Sequence, residues 1–94
     1  MTLPNVYWID DPGHAWLAVN MAEYPRAVNY GTGYGYRDTR YVYLEEDCEA
    51  PAFLADYPEL QQLSVSGGLV EKRYDDDAPV RRYRPNVDMR GVMS

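Results

Sequence analysis

The chain of 94 residues has one cysteine, one histidine and no apolar run approaching the roughly 20 residues that span a bilayer. A lone Cys48 excludes an internal disulfide and any zinc centre built from the cysteines of one chain, so it says little about redox compartment. The opening MTLPNVYWIDD has neither the basic start nor the apolar stretch of a signal peptide. A cytosolic protein with no membrane partner is the resulting expectation. Bases are also scarce where acids are dense. Residues 1 to 60 hold ten acids and three bases, Arg26, Arg37 and Arg40, which gives −7; residues 61 to 94 hold five acids and six bases, which gives +1. An acidic body argues against direct binding of a nucleic acid, whose backbone is held by neutralising Lys and Arg. It favours a basic partner through steering and complementary potential.

What is present is a folded composition, 46% hydrophobic, sized for one domain with a small core. Ten of its thirteen aromatics are tyrosine, against two Trp and one Phe. Tyrosine buries a ring and keeps a hydroxyl for a partner, which suits half-exposed sheet faces and binding surfaces alike.

Two strand-like runs, VYWI and HAWLAV, flank DDPG, where Pro12 and Gly13 supply the dihedrals of a tight turn. The pattern predicts a β-hairpin over residues 5 to 19, with Ala15, Leu17 and Val19 facing the core. NMAEYPRAVNY predicts at most one helical turn, stopped by Pro25. GTGYGYR and RYVYLEE predict a second hairpin turning at Asp38-Thr39. Alternation there puts Val42 and Leu44 on one face, Tyr41 and Tyr43 on the other.

From Asp47 the period changes: Ala50, Phe53, Leu54 and Tyr57 fall at helical spacing, with Asp47 as N-cap, Pro51 in the first turn and Pro58 as the stop. SVSGGLVEKRY predicts a third hairpin about Gly67-Gly68. The expected fold is therefore α+β: a small antiparallel sheet of two or three hairpins with one short helix packed on one face. Residues 1–74 form the single domain, and 75–94 form a polar C-terminal extension.

Chemistry concentrates in two blocks. Glu45, Glu46, Asp47 and Glu49 are four acids among five positions. The positive end of a helix dipole stabilises one or two acids by a few tenths to about 1 kcal/mol each, which leaves the surplus for a second role. The other block, DDPGH, gathers Asp10, Asp11 and His14 about one turn. Asp10, Asp11, His14, Glu45, Glu46 and Asp47 together would offer oxygen and imidazole ligands to Mg²⁺, Mn²⁺ or Ca²⁺, although the spacing matches no calcium loop. No nucleophile accompanies His14, and carboxylates beside Cys48 raise its pKa and disarm its thiol. GTGYG lacks the lysine and following helix of a phosphate loop, so close backbone packing is the better account of its glycines.

With DDPGHAWLAV and YVYLEEDCEAPAFL both in view, the chain resembles small proteins encoded by bacteriophages, plasmids and other bacterial mobile elements. Those carry a DDPGHGWL-like hairpin and a YLEEDCDA-like segment followed by Phe-Leu. The likeness spans roughly residues 6 to 54, and departs from the pattern at Ala15, where it has Gly, and Glu49, where it often has Asp. It implies a shared origin and a shared unit of Asp10 to His14, Trp16 and Leu44 to Asp47, with no mechanism attached. The expectation is a non-enzymatic, cofactor-free module in the host cytoplasm that engages a basic host or defence protein. Its contact residues would be Asp10, Asp11, Trp16, Glu45, Glu46, Asp47 and Glu49. A metal-binding domain and a structural homo-oligomer are the alternatives.

Overall fold

The Asp11–His14 turn folds the N-terminal segment back on itself. In the computed structural model, which describes residues 3–87, β1 (Val6–Asp10) pairs antiparallel with β2 (Ala15–Asn20), Val6 opposite Val19 and Asp10 opposite Ala15. The second hairpin joins β3 (Thr32–Arg37) to β4 (Tyr41–Glu45). Asp38 holds its turn. One carboxylate oxygen accepts from the amides of Arg40 and Tyr41, at 2.8 and 2.7 Å, and the other accepts from the Tyr43 hydroxyl.

β2 and β4 pair in turn, which sets Trp16 opposite Glu45 and joins the two hairpins into one sheet. Two further strands extend it on either side, to the order β5-β1-β2-β4-β3-β6. β5 (Glu71–Arg73) runs parallel to β1, and β6 (Arg84–Val87) antiparallel to β3. The class is α+β as expected, but the small antiparallel sheet with one helix is corrected, among the described residues, to a six-stranded mixed sheet with two α-helices. These are α1 (Glu49–Ala55) and α2 (Pro58–Ser66), with 3₁₀ turns at Pro25–Tyr30 and Pro79–Arg82.

Three prolines explain much of the difference. Pro25 and Pro58 both stand at the first position of a helical segment, where a missing N–H costs nothing and the fixed φ is suitable. Each was expected to stop a helix; each starts one. α2 replaces the first arm of the hairpin expected about Gly67-Gly68. Gly67 adopts φ +80 as its left-handed C-cap, and the Gly68 amide reaches back to the Leu63 carbonyl at 2.8 Å. The chain then enters β5 beside β1 without ever pairing with residues 63–66. Pro85 sits in β6, an edge strand, where a residue without an amide is tolerated.

Both faces of the sheet are covered. On one, Val6, Leu17, Val19, Val42 and Leu44 pack with Ala50, Phe53, Leu54 and Leu60 of the helices. Tyr24, Tyr30 and Tyr57 surround Phe53 at ring separations of 4.6 to 5.9 Å. On the other, Tyr7, Ile9, Trp16, Ala18, Tyr41 and Tyr43 pack with Ala78 and Val80. Each buried Val, Leu or Phe contributes about 1.5–3 kcal/mol, so a core on each face offsets the small size of the chain. Part of the segment expected as a C-terminal extension is thereby built into the domain, since Ala78 and Val80 are buried and Arg84–Val87 forms β6. Residues 88–94 of that segment lie outside the described residues.

Close backbone packing accounts for a glycine of GTGYG. A Cβ at Gly35, inside β3, would collide with the Glu49 carboxylate and the Tyr43 carbonyl. Gly35→Ala is expected to destabilise by about 1–3 kcal/mol, as overpacked sites do. A denaturant titration with an unchanged m-value and a lowered midpoint checks this.

Candidate functional site, the cleft at the hairpin tip

The turn of the first hairpin and the start of α1 lie at the same end of the sheet, because β4 runs toward α1 while β2 runs away from its turn. The Glu46 amide donates to the Ala15 carbonyl at 3.2 Å, which ties the two blocks together. Between them opens a cleft of about 500 Å³, lined by His14, Trp16, Tyr36, Glu45, Asp47, Cys48 and Arg81. It lies on the face of the sheet opposite the α-helices.

Most of the candidate acids are already engaged. The Asp11 side chain is fully buried and forms a two-point ion pair with Arg81, at 2.7 and 2.9 Å. It also accepts the amides of Gly13, His14 and Ala78, each at 2.9 Å. The Arg81 guanidinium, followed by these amides, outweighs the cost of burial and holds the Asp11 carboxyl far below the usual carboxylate range. Arg81 in turn covers the Trp16 ring, its Cζ 5.2 Å from the ring centroid. Asp10 is half-buried and paired with Arg73 at 3.1 Å.

The acidic cluster divides in two. Glu49 is buried within the first turn of α1, and its carboxylate faces the sheet. It accepts from the Thr32 amide and hydroxyl at 2.6 and 2.7 Å, the Gly35 amide at 3.3 Å and the Glu45 amide at 3.1 Å. Glu45 is also buried and accepts the Cys48 amide at 3.1 Å. Burial alone raises its pKa, but hydrogen bonds from Asp47 and Cys48 outweigh that and lower it. Glu46 and Asp47 are exposed, and among the described residues neither joins an ion pair.

As contact residues, Asp11, Trp16, Glu45 and Glu49 are therefore corrected. Trp16 is 1% exposed, and the three carboxylates bind backbone amides, a hydroxyl and an arginine inside the fold. Asp47 is not the N-cap of α1 either; Cys48 occupies that position, with no side-chain cap bond. Of the two roles open to the tyrosines, sheet packing accounts for most of them: Tyr7, Tyr41 and Tyr43 are buried and six others half-buried.

The sequence missed Arg81, which lies 70 residues from its partner Asp11. Only its place in a DDD…RR charge pattern hinted at pairing, and that pattern pointed to Asp77, which stands 3.7 Å away. It also missed Tyr36 as a wall of the cleft, 6.2 Å from Trp16 between ring centroids.

The Cys48 thiol donates to the Glu45 carboxylate at 3.4 Å, and this bond raises its pKa, as the sequence led us to expect. Among the described residues, no group of three His, Cys, Asp or Glu side chains is placed to hold a metal ion. The set Asp10, Asp11, His14, Glu45, Glu46 and Asp47 shares one end of the sheet without converging on a point. Nor is any helix of the described residues long and apolar enough to cross a membrane. No protein-family model matches the chain, and neither does any curated protein or solved structure.

Proposed function

We propose that the protein is a non-enzymatic binding module of phage or mobile-element origin that engages a basic host or defence protein in the host cytoplasm. The observation that carries this reading is the pair Glu46 and Asp47, exposed side by side in the turn after β4, Asp47 on the rim of the cleft and Glu46 beside it, neither in an ion pair among the described residues. The acids around them are committed to the fold, so this pair is left to meet a partner. His14, exposed at the hairpin tip, forms the opposite rim. The turn that presents the pair is held at three places: by Glu45 on the Cys48 amide, by Glu49 on the Glu45 amide and by the Ala15 carbonyl. Such a preformed edge loses little entropy on binding. The origin rests on the likeness of the DDPGH and YLEEDC blocks to mobile-element proteins. The metal-binding and homo-oligomer alternatives have no comparable observation behind them.

Affinity capture from bacterial lysate tests the reading, with wild type compared with the double charge reversal Glu46→Lys/Asp47→Lys. Both positions are exposed, so the variant is expected to fold normally. It is expected to lose at least about tenfold in retention of the captured protein at low salt, the size of effect that complementary charge pairs supply. Retention by wild type is expected to fall as salt rises, and retention by the variant to be flat. Equal retention by both proteins at every salt concentration would remove the acidic rim as the contact.

A further inference from the structure

The opposite end of the sheet carries opposite charge. The register places Arg37 of β3 directly across from Arg84 of β6, and Arg40 follows two residues after the Asp38 turn. Like charges directly opposite in a ladder repel. None of the three arginines forms an ion pair among the described residues. The nearest carboxylate, Asp38, spends its oxygens on the Arg40 and Tyr41 amides and the Tyr43 hydroxyl. A cleft of about 480 Å³ opens here, lined by Met21, Arg37, Asp38, Thr39, Tyr83 and Arg84. A neighbouring groove shares Asp38, Thr39 and Tyr83 with it and adds Arg40 and Lys72.

We propose that this arginine end is a binding site for a phosphate monoester, with Arg37 and Arg84 gripping the phosphate and Tyr83 and Met21 flanking its organic part. Guanidinium groups match phosphate oxygens two at a time, and a dianion between Arg37 and Arg84 turns their mutual repulsion into shared attraction. The rest of the surface limits the ligand to a small one. The net charge of −6 repels a long polyanion, and Tyr7, Tyr41 and Tyr43 are too deeply buried to stack on successive bases. The site is independent of the acidic rim, which lies at the other end of β4.

Two-dimensional NMR titration of the full chain with inorganic phosphate and, separately, with adenosine monophosphate tests the proposal at low ionic strength. Saturable shifts are expected at the amides of residues 37–40 and 83–84, tighter for the monoester than for phosphate alone. Arg84→Gln is expected to weaken both titrations at least about tenfold, the loss of one charge-assisted pair of bonds. Arg26→Gln, an exposed arginine of the first 3₁₀ turn, is expected to leave them unchanged. Relief of repulsion is also expected to make Arg84→Gln at least as stable as wild type without ligand, which separates lost binding from lost folding. No saturable shift with either ligand, or equal affinity in wild type and Arg84→Gln, would overturn the proposal.

Discussion

Asp11→Ala is expected to destabilise the protein by about 3–5 kcal/mol, because it leaves the Arg81 guanidinium half-buried without its counter-charge. Three backbone amides, those of Gly13, His14 and Ala78, lose their acceptor in the same step. In a domain of this size 1 kcal/mol moves the melting temperature by roughly 4–8 °C, so thermal unfolding would report a drop well above 10 °C. The effect reaches beyond the turn. Ala78 and Arg81 are the points at which the C-terminal segment is tied to the first hairpin, and that segment covers the tyrosine face. Exposure of Trp16, seen as a red shift in its fluorescence, should accompany the loss. A drop under 1 kcal/mol would mean that the ion pair is dispensable and that Ala78 and Val80 alone hold the segment.

The same carboxylate fixes a pH dependence. Its pKa in the fold is depressed, so its contribution is fully present above the unfolded value of about 4 and is lost as pH falls below that. Stability of wild type is therefore expected to decline steeply from about pH 4 downward, and Asp11→Asn to show a shallower slope over that window. Denaturant midpoints at a series of pH values between neutrality and pH 2 measure the difference. Parallel curves would assign the acid sensitivity to other groups.

Glu49→Ala is the second large effect, expected at about 3 kcal/mol or more. An unpaired buried amide costs about 1–3 kcal/mol, and the substitution frees those of Gly35 and Glu45, with the half-buried Thr32 amide beside them. Glu49→Gln keeps the shape and one oxygen acceptor but loses the charge, so an intermediate cost is expected. Amide hydrogen exchange is the informative measurement. Protection should fall at Thr32, Gly35 and Glu45, while the β1-β2 pairing keeps its own. A uniform loss across all strands would show that Glu49 has no special hold on β3 and β4. Either outcome separates this acid from Glu46 and Asp47, whose removal should leave stability within about 0.5 kcal/mol, as at other surface sites.

These effects show where the local pattern was readable. DDPG between two branched and aromatic runs reads as a turn, although Gly13 does not take the positive φ of a type II turn and the Asp11 carboxylate holds the loop by accepting the Gly13 and His14 amides. The alternation of Tyr41 to Leu44 and the spacing of Ala50, Phe53 and Leu54 depend only on strand and helix periods. The helix α2 was hidden because it buries only Leu60, so it carries no apolar stripe to read, and its serines and valine suit a strand equally well. β5 was hidden because all three of its residues are exposed and charged, a composition that protects a sheet edge from pairing with another chain but resembles a loop.

By itself the sequence determined the two hairpins and the helix after the acidic cluster, whereas the meeting of DDPGH with EEDCE at one end of the sheet needed the pairing of β2 with β4. The hairpins and the helix follow from neighbouring residues. Which acids are free was decided only by tertiary structure. Glu45 and Glu46 are adjacent and chemically alike, yet one is buried on backbone amides and the other faces solvent. Strand periodicity and the turn separate them, and the four donors around Glu49 come from two different strands, β3 and β4. Asp11 and Arg81 were joined across 70 residues by the same means. An ion pair closed over that distance leaves no trace in local spacing, because the fold, and not the chain between them, brings the charges together.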